Sequence, residues 1–221
     1  ALKECADKLG LKLILDVVTN HTGDIIWYDE RKAYIPEKYR DIKNPAWLND
    51  INNYHNTGDM NRCWSDGPCT KNGDFFGLDD IATEKPIVYQ GWGDVYGSWI
   101  EKYGFVGFRV DTARHVDDEF FKNWSPLINQ RAASAGITNF TIFGEVWEQN
   151  PIDLVTYIRI HKMQTALDFP FQKFAVDYAA ASSNASILKN LFDYDDYYTS
   201  SFSSASNLVT FLGNHDMGRS A

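Results

Sequence analysis

The chain has 221 residues, 44% hydrophobic and 23% charged, enough apolar material for one large domain or two small ones; disordered, collagen-like and coiled-coil classes are excluded. A net charge of −9, from 30 acidic and 21 basic residues, argues against a phosphate-binding groove, so no nucleic-acid partner is expected. No run reaches the roughly 18 uninterrupted apolar residues of a membrane span, and no membrane partner is expected either.

In chain order, the N-terminal LKECADKLG reads as a helix, and residues 12–18 (KLILDVV) as the first strand. From residue 22 to about 77 the periodicity is lost, and Asn, Asp, Gly, Tyr and Trp take over. Irregular stretches of about 50 residues inside a compact domain are usually functional, so this one reads as a small inserted subdomain. Within it, Cys63 and Cys69 bracket the loop CWSDGPC. A local disulfide there implies an oxidising compartment, while free thiols remain open. Further strands are expected at residues 106–111, 140–146, 165–169 and 208–212, as near-continuous apolar runs of the kind buried on both faces of a parallel sheet. Helical patterns lie between them at 86–102, 117–135 and 153–162, the second with a break or kink at Pro126. Aromatic residues make up 15% of the chain, more amphipathic rings than a core needs.

Strand–helix alternation predicts an α/β fold. Each strand ends at or near an acidic residue: Asp16, Asp111, Glu145, Asp168 and Asp216. A (β/α)8 barrel uses about 31 residues per unit. Asp111 and Glu145 lie one such unit apart, and Glu145 and Asp216 two, with Asp168 between them. Asp16 and Asp111 are one unit plus roughly 60 residues apart, which is the inserted segment. A doubly wound open sheet is disfavoured, because no Gly-rich phosphate turn follows any strand.

Four motifs occupy these strand ends: Asp16-Val-Val-Thr-Asn-His21, Gly107-Phe-Arg-Val-Asp-Thr-Ala-Arg-His115, Gly144-Glu-Val-Trp147 and Phe211-Leu-Gly-Asn-His-Asp216. Retaining cleavage of a glycosidic bond needs one carboxylate as nucleophile and a second carboxyl as acid and then base, about 5–5.5 Å away. Asp111 and Glu145, on strands one unit apart, suit that pair. Arg109 is two residues before Asp111, on the same strand face, where a guanidinium stabilises a charged carboxylate.

In their order and spacing the four motifs resemble those of the α-amylase superfamily of retaining glycoside hydrolases, over nearly the whole chain. The resemblance implies a partial (β/α)8 TIM barrel covering strands 3 to 7. Residues 1–21 would be barrel, 22–78 an inserted domain B after strand 3, and 79–221 barrel continued. It implies Asp111 as nucleophile, Glu145 as acid/base and Asp216 as the third carboxylate holding sugar hydroxyls. It also implies that His21, Arg109, Arg114, His115, Trp147 and His215 bind substrate and that Asp16 braces the arginine. A calcium ion joining domain B to the barrel is implied at Asn20, the backbone carbonyl of His115 and Asp79, with Asp80 competing for the last place.

The substrate so implied is an α-1,4-glucan, polymer or oligosaccharide, with Trp27 and Tyr28 as further stacking candidates. The alternatives are a cyclodextrin- or maltooligosaccharide-degrading enzyme, a glucan transglycosylase, or a non-catalytic carbohydrate-binding barrel. A secreted or periplasmic location follows from the resemblance and from the Cys63–Cys69 pair, if it is bonded. Oligomeric state stays open. Strands 3 to 7 alone would leave sheet edges unpaired, so the chain is expected to be part of a larger product and inactive by itself.

Overall fold

The computed structural model describes residues 1–30, 32–59, 68–180 and 182–218, without the side chain of Cys69. The Cys63–Cys69 pairing lies outside the described residues. Two compact units divide the chain, Ala1–Thr141 and Ile142–Ala221. No helix among the described residues is long and apolar enough to cross a membrane.

In the first unit, helix α1 (Leu2–Lys8) leads into strand β1 (Ile14–Val18). The short strand β2 (His21–Thr22), the hairpin strands β3 (Trp27–Asp29) and β4 (Lys32–Tyr34), helix α2 (Pro68–Lys71) and strand β5 (Asp79–Asp80) follow. Helix α3 (Pro86–Tyr103), strand β6 (Gly107–Asp111) and helix α4 (Phe120–Ser134) complete it. β1 and β6 pair in parallel, Asp16 opposite Arg109 and Val18 opposite Asp111. This is the strand–helix–strand unit expected from the sequence. β6 starts on Gly107 for a steric reason: a Cβ there would lie 2.7 Å from the carbonyl oxygen of Thr141.

The irregular segment belongs with this unit and is tied into it by long-range polar contacts. β2 and β5 pair antiparallel, His21 opposite Asp80 and Thr22 opposite Asp79. Tyr54 bridges Ile81, and the Ile81 amide donates to the Asn20 carbonyl at 2.9 Å. Backbone pairing therefore crosses the expected boundary at residue 78.

Helix α4 excludes the break, one of the two outcomes expected at Pro126. It runs through Pro126 without ending there. A proline inside a helix removes a backbone hydrogen bond and costs about 3 kcal/mol. Here Phe120, Phe121, Trp124, Ile128 and Ala132 are buried along the same helix. Each large apolar side chain fully buried is worth about 1.5–3 kcal/mol, so the packed face outweighs the proline. β1 departs from expectation as well: Val17 is buried, but Ile14 and Asp16 are exposed, an alternating pattern.

In the second unit, strand β7 (Thr141–Gly144, beginning at the boundary residue) precedes helix α5 (Pro151–Arg159) and strand β8 (Thr165–Ala166). Helices α6 (Phe169–Ala179), α7 (Ser186–Phe192) and α8 (Asp195–Tyr198) follow. β7 and β8 pair in parallel, Gly144 opposite Ala166. Residues 208–212 do not form the expected strand. Val209 makes a single parallel bridge with Leu167, donating to Ala166 and accepting from Asp168 at 3.0 Å each. β8 is itself two residues long, so it offers a neighbour little ladder to extend.

Candidate active site

The first unit brings together five of the expected residues around the end of β6. Arg109 Nη1 donates to both oxygens of Asp16, at 2.8 and 3.0 Å, and to Asp111 Oδ1 at 2.8 Å. The parallel register makes this geometry, placing Arg109 beside Asp16 and two residues from Asp111 on one face. Thr112, directly after Asp111, has φ +47°, a region a β-branched residue rarely enters. The chain turns there, the His115 amide donates to the Thr112 carbonyl at 2.9 Å, and Arg114 and His115 fold back beside the strand end.

His21 and His115 flank the carboxylate electrostatically. Burial holds the His21 imidazole below its ordinary value, against the pull of Asp111. Burial does the same for His115, where the Thr70 carbonyl opposes it and the charge of Arg114 adds to it. His115 Nδ1 lies 2.9 Å from the Thr70 carbonyl oxygen, which can only accept. The proton of the neutral ring therefore sits on Nδ1. Between the two histidines lies Phe75, its ring stacked on His21 at 5.3 Å and 13° and edge-on to His115 at 4.8 Å. Reading the motifs missed Phe75, because nothing in FFGLDD marks it as a neighbour of either histidine. Trp92 and Tyr96 were missed too. From α3 they donate to the carbonyls of Thr19 and Val18, anchoring the segment that carries Asn20 and His21.

Asp79 and Asp80, the two carboxylates expected to compete for a cation, have different surroundings. The Asp79 carboxylate is already engaged, Oδ1 by the Ile26 amide and Oδ2 by the Ile25 amide and Lys43 Nζ, at 2.8–3.1 Å. Burial pulls Lys43 below its ordinary value, with the Asp79 contact opposing it. Asp80 is different. Its Oδ2 meets His55 Nδ1, while Oδ1 is buried with no hydrogen-bond partner. Both side-chain heteroatoms of Asn20 are likewise buried and unpartnered. The β2–β5 pairing places Asn20 next to Ile81 and His21 opposite Asp80, so the two orphaned groups sit on adjoining backbone. Among the described residues no three His, Cys, Asp or Glu side chains converge as a metal cluster. The donors here are one carboxylate and an amide, hard oxygens of the type calcium takes.

Tyr28 donates its hydroxyl to Asp74 at 2.9 Å, which gives it a structural role. Trp27 packs edge-on to Tyr34 and Tyr39, and Lys38 Nζ lies 4.9 Å from its ring centre.

The second unit carries the remaining expected residues. Glu145, one position beyond β7, is 8% exposed. Trp147 is 41% exposed and stacks on Phe169 at 5.1 Å and 27°. His215 and Asp216 sit in an exposed turn, His215 Nε2 lying 3.2 Å from Asp216 Oδ2. The Asp216 amide donates to Asn214 Oδ1 at 3.0 Å.

Asp168 caps α6, Oδ1 accepting from the Phe171 amide at 2.9 Å. Burial pushes its carboxyl up to about 6, with the Phe171 amide opposing and Asp195 adding. The folded chain thus keeps a proton that the unfolded chain releases near the ordinary value of 3.8. Asp168 therefore stabilises the fold less as pH rises from about 4 to 6, by at most about 3 kcal/mol. Asp168→Asn keeps an oxygen for the cap and cannot ionise. Its stability advantage over the parent should grow across that window and level off above it. Melting curves of both proteins between pH 4 and 7 test this, and a pH-independent difference would refute it.

Known proteins are similar to this chain over nearly its whole length. The family model described as "Alpha amylase, catalytic domain" matches residues 1–221. An α-amylase of Streptomyces lividans is 35% identical over 252 residues, covering 95% of this chain and 27% of that protein. A cyclomaltodextrin glucanotransferase of Klebsiella oxytoca is 27% identical, covering 95% of this chain and 32% of that protein. Among solved structures, an Anoxybacillus α-amylase superposes with a TM-score of 0.76 at 29% identity, covering 99% of this chain and 43% of that one. The chain thus spans well under half the length of these relatives. It has their fold, a partial (β/α)8 barrel. With that match and an Arg109–Asp111 clamp at the end of a parallel strand, the chain belongs to the α-amylase catalytic-domain family.

Proposed function

We propose that the protein hydrolyses α-1,4-glucosidic bonds in starch-like glucans with retention of configuration. The observation that carries the reading is the arginine-clamped Asp111 at the end of β6, with His21 and His115 held as neutral imidazoles beside it. In this reading Asp111 attacks the anomeric carbon and the buried Glu145 protonates the leaving oxygen. After the glycosyl–enzyme ester forms, Glu145 takes a proton from water, which hydrolyses the ester. Asp216 holds hydroxyls of the same sugar, and neutral imidazoles can hydrogen-bond that sugar without adding a positive charge beside the developing oxocarbenium ion. Trp147, exposed and stacked on Phe169, offers a face to a glucose ring. A solved Geobacillus thermoleovorans α-amylase, 26% identical, is complexed with acarbose, which fits the same substrate class.

The experiment is product analysis of soluble starch digested by the complete protein, with NMR of the first anomer released. Linear oligosaccharides released as the α-anomer support the reading, and β-anomers overturn retention. Cyclic products would favour glucan transfer, the activity named for the Klebsiella relative.

A calcium ion belongs to the same proposal, held by Asn20 Oδ1 and Asp80 Oδ1, with the His115 carbonyl, and Asp79 left to Lys43. Its part is structural: it would neutralise a buried carboxylate and tie the irregular segment to the strand ends. Excess chelator should lower the melting temperature of the complete protein. An ion present at a hundred times its dissociation constant contributes about 2.7 kcal/mol. Asn20→Ala should abolish the chelator effect, and an unchanged melting curve in the parent would rule the ion out.

A further inference from the structure

Phe75 and Leu78 exchange backbone hydrogen bonds, 3.0 Å in each direction, closing a two-residue hairpin over Phe76 and Gly77. Both central residues have positive φ, 52° and 83°, the signature of a type I′ turn. Gly77 takes that conformation readily, but Phe76 is a bulky residue in a region such residues avoid. Strained backbone of this kind persists only where surrounding structure holds it, and it gathers at functional sites. Phe76 itself is 57% exposed, so its own burial does not hold the turn. What the turn places inward is Phe75, parallel to His21 and edge-on to His115.

His21 gives the contact its importance. Its Nδ1 is buried without a hydrogen-bond partner, so no hydrogen bond at that atom orients the ring. Its backbone is fixed by the Asp80 pairing, and its imidazole lies nearly parallel to the face of Phe75. The same ring braces His115 from the side, while the Thr70 carbonyl holds Nδ1 of that histidine. One aromatic residue from the irregular segment therefore touches both imidazoles beside Asp111.

We propose that Phe75 is a positioning residue, whose ring holds His21 and His115 in the orientation in which both meet the sugar bound at Asp111. The role rests on the glucan-hydrolase reading above. Hydrogen bonds that strengthen in the transition state act on kcat more than on KM.

The test uses the complete protein with soluble maltooligosaccharides, comparing the parent, Phe75→Leu and Phe75→Tyr. Leu keeps apolar volume and loses the flat ring, whereas Tyr keeps the ring. Phe75→Leu should lower kcat about tenfold or more while KM moves less than about threefold, and Phe75→Tyr should stay within about threefold of the parent. The carbon-bound protons of both imidazoles should show ring-current-shifted NMR resonances in the parent that move toward ordinary positions in Phe75→Leu.

Parental kcat in Phe75→Leu would overturn the proposal, as would equal losses in the two variants. If Phe75→Leu does not fold, the parent spectrum and Phe75→Tyr decide: unshifted imidazole resonances, or a large kcat loss in the tyrosine variant, overturn it. A parent inactive on glucans would overturn the hydrolase reading and this role with it, whereas an active parent with an unaffected Phe75→Leu overturns only the role of Phe75.

Discussion

Asp111→Asn is expected to reduce starch turnover by the complete protein by about four orders of magnitude, with a melting temperature close to the parent's. The amide has nearly the volume of the carboxylate, and its oxygen can still accept the 2.8 Å hydrogen bond from Arg109 Nη1. Folding therefore loses little, but a neutral amide cannot form the glycosyl ester. Arg109 would still be held by both oxygens of Asp16, so the strand-end geometry survives the change. Steady-state kinetics beside a thermal melt separate the two effects. Turnover within about tenfold of the parent would remove Asp111 from the nucleophile's place.

Trp124→Ala is expected to cost about 3–5 kcal/mol, a large share of the 5–15 kcal/mol that holds a typical domain together. The indole is fully buried and lies between two aromatic neighbours, stacked on Phe120 at 5.3 Å and on Phe108 at 6.1 Å. Phe108 belongs to β6, three residues before Asp111, so the same residue that secures α4 also backs the strand that carries Asp111. Phe120 and Phe108 cannot both collapse into the space an alanine would leave, because each is fixed by its own backbone element. Trp124→Phe should recover most of the loss. It keeps the stack, and it removes an indole N–H that is buried without a partner. Denaturant titration of the three proteins tests this. A shift under about 1 kcal/mol for the alanine variant would show that the site collapses freely.

The sequence by itself determined that Arg109 and Asp111 close a strand. Arg109 and Asp111 are two apart on one strand, and a period of two puts their side chains on one face in any register, so their contact was legible locally. Asp16 beside Arg109 was implied by the family resemblance alone, and the parallel register of β1 and β6 places it there. The helix through Pro126 was not legible. Local propensity argues for a break there, and only the buried face of Phe120, Trp124 and Ile128 reverses it. The second unit's residues 208–212 read as a strand because they are apolar, yet ladder formation depends on a partner, and Leu167, just after β8, supplies one rung.

Asp79 and Asp80 show most plainly what only the tertiary structure decided. The two are adjacent and chemically identical, so composition and spacing cannot separate them. In a strand, neighbours face opposite sides, and the register against β2 assigns the sides. Asp79 then meets the amides of Ile25 and Ile26 and the ammonium of Lys43. Asp80 turns to His55 and keeps one oxygen unpartnered. Lys43 and His55 come from distant points of a segment without periodicity, where no repeating pattern announces which side chain will arrive. Phe75 reached His21 and His115 in the same way, through a two-residue turn whose backbone geometry is set by the fold around it.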